Sequence, residues 1–248
     1  KDWESEILYI QQHLRDAAVD SAFREWPDVP ELRAGEIAGD IKSRRDKLMK
    51  LARIHYEFLA STVDVVGTDD AERFEIDRLE GQTRVTAYVL SKKGKTRRIT
   101  YQRTFDNGVT RSIDIFGNGA GDDFVVRGTS RTGIKLRLVG GLGNDRFFDS
   151  SRVTRGGRKT LIYDDLRKNE VHPGPGTKDL RSSLSRFNIY DRRGYDSEYD
   201  IVMPFPVLGF NPDDQFLLGA SFDMIHRSFK KVPYASHQRV GASFAFGT

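Results

Sequence analysis

The sequence predicts an α+β protein: N-terminal helices, then an antiparallel β or short β-solenoid-like domain, then a C-terminal β-hairpin. Three observations carry this prediction. Apolar residues recur every three or four positions up to Ala60, and beyond Gly67 the period falls to two. Between residues 111 and 148 a Gly-Asp turn occurs twice between apolar strands, at a spacing of about 22 residues, which lies in the range of stacked supersecondary units.

The helical part opens at Asp2, a capping residue, followed by an apolar face of Trp3, Ile7, Ile10, Leu14 and Ala18. A short second helix is predicted from Asp20 to Trp26, stopped by Pro27 and Pro30. The longest pattern runs from Gly35 to Ala60, with Ile37, Ile41, Leu48, Leu51, Ala52, Tyr56 and Leu59 as its stripe. Its opposite face carries Lys42, Arg44, Arg45, Lys47, Lys50 and Arg53. Such a face meets either water or an anionic surface. Asp46 and Glu57 interrupt it and no aromatic residues interleave as base-stacking platforms, which argues against nucleic acid as a partner.

Phe74 and Ile76, then Val85, Ala87 and Val89, then Ile99 and Tyr101 alternate with polar residues. The breaks at Glu80-Gly81-Gln82 and Lys92-Lys93-Gly94-Lys95 are hairpin turns. Asp106-Asn107-Gly108 leads into the repeats, in which Ile113 and Ile115 align with Leu136 and Leu138, and Phe124 and Val125 with Phe147 and Phe148. Leu161-Ile162-Tyr163 continues them without a glycine turn. The Lys, Asn, Gly, Pro and Ser content from Leu166 onward predicts a linker. The resulting domain plan is a helical region 1–66, a β connector 67–165, a linker 166–200 and a final segment 201–248.

In that segment Phe216, Leu218, Ala220, Phe222 and Met224 alternate with Gln215, Leu217, Gly219, Ser221 and Asp223. Val240, Ala242, Phe244 and Phe246 alternate with Arg239, Gly241, Ser243 and Ala245. The pattern fits a half-buried soluble hairpin or two strands of a membrane barrel, whose lumen face is small and polar. If it is a barrel, its other strands lie beyond Thr248, and the opening at Lys1 without a Met or signal pattern predicts an excised or mature piece.

Candidate chemistry is sparse. With no cysteine, thiol catalysis and disulfides are out. The 40 Lys and Arg against 36 Asp and Glu give a formal charge of +4 with both signs dispersed. Gly140-Gly141-Leu142-Gly143-Asn144-Asp145-Arg146-Phe147-Phe148 fits the calcium nonapeptide G-G-x-G-x-D-x-U-x, making Asp123, Asn144 and Asp145 candidate calcium ligands. The plainer reading gives the glycines positive φ at a tight corner and the two aspartates turn-capping roles, because the first copy shows an extra residue. Asp69-Asp70, Asp122-Asp123, Asp164-Asp165 and Asp213-Asp214 are adjacent pairs, and in a strand neighbours point to opposite faces. His13, His55, His172, His226 and His237 have no ligand spacing, and no nucleophile elbow or phosphate loop is present.

Several stretches resemble the pre-barrel region of BamA/TamA-like (surface antigen) outer-membrane proteins of Bacteroidetes type. They are Ser43-Arg44-Arg45-Asp46-Lys47-Leu48, Tyr56-Glu57-Phe58-Leu59-Ala60, Val63-Asp64-Val65-Val66-Gly67-Thr68-Asp69, the two Gly-Asp turns, Gly209-Phe210-Asn211-Pro212-Asp213-Asp214, and Phe229-Lys230-Lys231-Val232-Pro233-Tyr234-Ala235. The resemblance implies a non-catalytic connector joining a periplasmic module to an outer-membrane β-barrel that starts at the C-terminal hairpin. Phe216, Leu218, Phe222, Met224, Val240, Phe244 and Phe246 would then face outer-membrane lipid, with periplasmic or outer-membrane proteins as partners. The alternative is a calcium-stabilised β-roll module of a secreted enzyme.

Overall fold

The structure, a computed structural model, describes residues 2–24, 31–155, 160–191, 199–212 and 215–247. The helix stop expected at Trp26, Pro27 and Pro30 and the pair Asp213-Asp214 lie outside them. Helix α1 spans Asp2–His13, α2 Asp16–Arg24 and α3 Glu31–Ala60. The single helix expected through Ala18 is therefore two. Arg45 of α3 explains the break: it donates to the carbonyl of Leu14 at 2.7 Å and pairs with Asp16 at 2.7 Å. That carboxylate sits in the first turn of α2, where it also offsets the helix dipole. Trp3 stacks on Tyr56, and Gln11 donates to the Arg45 carbonyl, so α1 runs antiparallel to α3. Lys42 and Arg45 of the basic face thus serve helix packing, while Arg44, Lys47, Lys50 and Arg53 are exposed. No residue of the expected apolar stripe is buried: Ile37, Ile41, Leu48 and Ala52 are half-buried and Leu51 and Leu59 are 52% and 59% exposed, while the buried residues of α3 are Ala34, Ala38 and Ala60.

The β region consists of two facing sheets. In the first, β1 (Thr62–Val66), β5 (Ser112–Asn118), β8 (Lys135–Gly141), β11 (Thr160–Tyr163) and β13 (Thr177–Asp179) lie side by side, all parallel. In the second, β2 (Glu72–Leu79), β6 (Asp123–Arg127), β9 (Arg146–Asp149) and β12 (Glu170–His172) are parallel. The hairpin of β3 (Gln82–Leu90) and β4 (Thr96–Asp106) adds antiparallel to the free edge of β2. Two-residue strands β7 (Thr129–Ser130) and β10 (Arg152–Val153) pair alongside. Within these two sheets antiparallel pairing is confined to β2–β4, where the two hairpin turns were expected. Each repeat returns through the other sheet, and a chain that comes back in the same direction pairs in parallel.

The aligned residues do pair. Ile113 faces Leu136, Ile115 faces Leu138, Phe124 faces Phe147 and Val125 faces Phe148. Leu161 pairs with Arg137 and Ile162 with Leu138, so the third repeat is also in register. Inward-facing Ile113, Ile115, Leu136, Leu138 and Ile162 of the first sheet meet Phe74, Ile76, Phe124, Val126 and Phe147 of the second. The phenyl rings of Phe74, Phe124 and Phe147 stack at 5.1 and 4.8 Å between centroids, one ring per repeat. At the far end of the core the buried Arg78 guanidinium donates to the Ile134 carbonyl, Ser151 and Thr160, tying three segments together. Loss of hydration holds its pKa down to about 10, against the pull of Asp149.

Two expected boundaries move. β1 pairs with β5, so the β region begins at Thr62 and the helical region ends at Ala60. Residues 170–179 of the expected linker 166–200 form a further repeat: Glu170 pairs with Arg146 and Thr177 with Thr160, and the Gly-Pro run at 173–176 is its turn. A 3-10 turn, Ser185–Asn188, follows. The C-terminal segment holds three strands where a hairpin was expected: β14 (Ile201–Asn211), β15 (Gln215–His226) and β16 (Ser236–Ala245), all antiparallel. Among the described residues no set of strands closes into a barrel.

Because Phe124 is the middle ring of the stack, Phe124→Ala is expected to cost about 3–5 kcal/mol, read as a lower urea midpoint. Phe148→Ala, whose side chain lies on the outer face of the second sheet against His172, is expected to cost far less.

Candidate functional site

The Gly-Asp turns form one corner of the stack, where β1, β5, β8 and β11 of the first sheet turn into β2, β6, β9 and β12 of the second. Asn118 pairs with Gly141 and Asp123 with Arg146, so the offset is constant and Asp122, not Asp123, is the counterpart of Asp145. There is no extra residue in the first copy. Asn118 and Ala120 adopt positive φ, 75° and 61°, where the second copy has Gly141 and Gly143 at 101° and 151°. Non-glycine residues in left-handed positions obscured the match, since such positions are usually filled by glycine.

At this corner each carboxylate accepts the amide of the preceding repeat. Asp122 accepts from Glu72 N at 2.7 Å, Asp145 from Asp122 N at 2.8 Å, and the side-chain oxygen of Asn169 from Asp145 N at 2.8 Å. Glu72 itself accepts from Thr68 N. The space for these side chains comes from a second ladder, Gly67, Gly117 and Gly140: a Cβ on Gly117 would collide with the Asp122 carboxylate, and one on Gly140 with those of Asp145 and Asp164. Asp164, at the position following Tyr163, points its carboxylate at the same spot, and Asn188 donates to it at 3.0 Å.

The calcium candidates are not brought together. Asp123 lies on the outer face, held by Arg73 at 2.7 Å and Arg146 at 2.6 Å. Asn144 is exposed, while Asp145 is fully buried. The reason is the one-residue offset, because adjacent strand residues face opposite ways. Among the described residues no group of three His, Asp or Glu side chains is placed to hold a metal ion.

The second oxygens of Asp122, Asp145 and Asp164 are buried without a hydrogen-bond partner. Burial pushes Asp122 up to about 8; it pushes Asp164 up to about 8 as well, reinforced by the Asp145 charge, and burial raises Asp145 too. The corner is therefore built to hold protons. A proton on Asp145 or Asp164 also supplies the donor that two facing carboxylates lack.

The other candidate is the third sheet. Its register puts Phe210, Phe216 and Phe246 in one row, Leu208, Leu218 and Phe244 in the next, then Pro206, Ala220 and Ala242, then Pro204, Phe222 and Val240, and last Val202, Met224 and Gln238. All seven residues expected to face lipid share this face. It is open: Leu208 and Phe244 are 66% exposed, Phe210 75% and Val240 58%. The opposite face carries Gly219, Ser221, Gly241 and Ser243, with Met203, Phe205 and Val207 of β14 beside them and Asp223 ion-paired to Arg239 and hydrogen-bonded to His237. Strand β14 went unread in the sequence because Pro204 and Pro206 argue against a strand. Two positions apart, their missing amides face the same open edge of an edge strand, where proline is tolerated, so the alternation Val202, Pro204, Pro206, Leu208, Phe210 was the available signal.

This sheet is anchored to the repeats. Phe229, in the loop 227–235 joining β15 to β16, packs into Phe116, Val139 and Tyr163 on the outer face of the first sheet, with the Arg137 guanidinium 4.7 Å above its ring. Beside it a cavity of about 590 Å³ is lined by Phe58, Tyr190, Tyr199, Asp64 and Asp114, and Asp114 is taken up by Arg137 at 2.8 Å. The histidines are engaged locally: His13 with the Tyr9 carbonyl, His172 with Glu170, His226 with Asp200, His237 with Asp223, and His55 against the ring of Phe58. No family model, curated protein or solved structure matches the chain.

The corner sets a pH dependence. A carboxyl whose pKa is raised on folding keeps its proton in the folded state after the unfolded chain has lost it, so stability falls as pH rises between the two values. With the ordinary value at 3.8 and the folded values at about 8, the contribution of Asp122 and Asp164 to stability is expected to be full below about pH 4 and to decline toward pH 8, while Asp179 and Asp223, whose values their arginine partners hold down, contribute in the opposite sense. Asp164→Asn, which places a donor opposite Asp145, is expected to raise the urea midpoint at pH 8 and flatten this slope.

Proposed function

We propose that the chain is a non-catalytic connector and the start of the barrel of an outer-membrane β-barrel protein, in keeping with the BamA/TamA-like resemblance of its sequence. The helices and a short solenoid-like stack of parallel repeats form the connector, and β14–β16 are the first barrel strands. The observation that carries this reading is the exposed apolar face of the third sheet. It is five rows long, and a soluble protein rarely leaves so large a contiguous apolar surface open to water.

The dimensions agree. From Val202 to Phe210 the face runs roughly 27 Å at about 3.4 Å per residue. With the usual barrel tilt of about 40° its height is about 21 Å, close to the apolar band of about 25 Å that such barrels present to lipid. On β15 and β16 the other face carries Gly219, Ser221, Gly241, Ser243 and the Asp223–Arg239 pair, as a water-filled lumen allows, while β14 adds Met203, Phe205 and Val207 to it. No helix among the described residues is long and apolar enough to cross a membrane.

The strand ends at Ile201, His226 and Ser236 mark the barrel mouth nearest the connector, since the loop between the last two docks Phe229 into the first sheet. The connector would occupy the periplasmic side, where it joins a neighbouring module or engages client proteins. A calcium-stabilised β-roll has no comparable support, because Asp123 is committed to two arginines on the wrong face.

Expressed in its parent bacterium, the protein is expected in the outer-membrane fraction, with the connector protected from external protease in intact cells. Recovery from the soluble periplasm overturns the reading. Phe222→Arg, near the middle of the apolar face, is expected to cost about 2–4 kcal/mol in the bilayer and to reduce assembled protein sharply, while Ser221→Arg on the lumen face is tolerated.

A further inference from the structure

The hairpin of β3 and β4 is the most strongly charged element of the molecule. From Ser91 to Phe105 it carries Lys92, Lys93, Lys95, Arg97, Arg98 and Arg103 and no acidic residue. All six are exposed, and none of them is in an ion pair among the described residues. The first five crowd into the turn and the start of β4. The turn is well formed: Ser91 N donates to the Lys95 carbonyl, Lys95 N to Ser91 Oγ, and Gly94 takes a positive φ of 72°. At its foot Leu90 N bonds Ala71, beside exposed Asp69 and Asp70. Two acids against five cations leave the tip with a net excess of three.

The topology fixes which way the tip lies. Glu72 pairs with Val89, so β3 runs back to the corner from which β2 departs, and the turn after Leu90 projects beyond the corner of Gly67, Asp122 and Asp145. The strands of the first sheet end at that same corner, and their last outward side chains, Phe116, Val139 and Tyr163, are those that receive Phe229 from the third sheet. The basic tip and the docked loop of the third sheet therefore share one end of the stack, on its two opposite faces.

We infer that this tip is a docking surface for an anionic phospholipid bilayer, holding the repeat stack against the membrane beside the strands. The inference rests on the barrel reading for the nearness of a membrane, and on charge for the choice of partner. Clustered lysines and arginines next to a membrane-inserted element are attracted to anionic headgroups within a Debye length. Nucleic acid is the poorer match: no aromatic residue lies in the turn itself, and Tyr88 and Tyr101, farther down the strands, are half-buried.

The test is co-sedimentation of the 248-residue chain with vesicles of neutral phosphatidylcholine and with vesicles containing phosphatidylglycerol, at low and high salt. The chain is expected to favour the anionic vesicles by about tenfold or more at low salt, each cation near the surface adding to the attraction, and to lose the preference in high salt. The variant Lys92→Glu/Lys93→Glu/Lys95→Glu is expected to fall to the neutral-vesicle level, with Lys92→Gln/Lys93→Gln/Lys95→Gln intermediate. Lys47→Glu/Lys50→Glu/Arg53→Glu, an equal charge change on α3, is expected to keep most of the preference. Unchanged anionic binding by the tip variants, an equal loss in the α3 variant, full competition by millimolar inorganic phosphate, or tip-dependent binding of an RNA oligonucleotide without vesicle binding would each overturn the inference. Absent binding to neutral vesicles with the tip-dependent anionic preference intact would count against the apolar sheet face while supporting the tip.

Discussion

The fold depends on one repeated interaction: a buried side-chain oxygen that accepts the main-chain amide of the neighbouring repeat at the corner. Asp122 serves Glu72, Asp145 serves Asp122, and Asn169 serves Asp145. Parallel strands cannot be joined by tight hairpins, so each repeat must turn a corner where the ladder is interrupted and amides are left without partners. A carboxylate closes the gap from the side. It fits only because the facing ladder of Gly67, Gly117 and Gly140 has no side chains. The consequence is chemical: acids stacked one per repeat, screened from water, hold protons above the ordinary carboxylate range. Where the ladder ends, Asn169 replaces an acid, and Asn188 reaches in to bond Asp164 and the Gly141 amide, so the last repeat is closed by neutral amides.

The same logic explains how the edges are treated. A stack of parallel strands exposes an edge at each end, and exposed edges invite further pairing. The hairpin of β3 and β4 covers one end of the second sheet and moves the open edge out to a strand studded with arginine. In the third sheet β14 carries Pro204 and Pro206, which remove donors from its outer side. The edge of β16 has no such device.

Much of this was legible because strand periodicity survives where both faces of a sheet are specified. Ile113, Ile115, Leu136 and Leu138 pair as the sequence alignment suggested, and so do Phe124 and Phe147. The corner was misread by one residue. Glycine marks the turn only in part, because backbone geometry is what repeats, and Asn118 and Ala120 hold left-handed positions without it. That single offset exchanged the buried Asp122 for the arginine-bound Asp123 as partner of Asp145. Alternation alone is the same whichever way a neighbour runs, so the parallel pairing of the repeats was legible only through their fixed period, which implies stacked coils. The supposed linker failed for a related reason, since Gly and Pro mark a turn inside a repeat as readily as a boundary between domains.

A constraint at the junction links the two halves of the molecule. The outer face of the first sheet, which in an isolated stack would be solvated, carries an apolar row of Phe116, Val139 and Tyr163 and, beside it, Arg137 buried against Asp114. Neither feature is stable uncovered. Phe229 covers both: its ring fills the row and its face meets the Arg137 guanidinium, while Lys230 lies over the Phe116 ring on the other side. A loop longer than a tight turn is needed for this reach, which accounts for residues 227–235 between β15 and β16. The sheet is consequently positioned on the repeats by one aromatic anchor set in a cation–π and ion-pair frame. A hinge here would expose an apolar row and a buried ion pair together, so the junction resists bending more than its short contact length suggests.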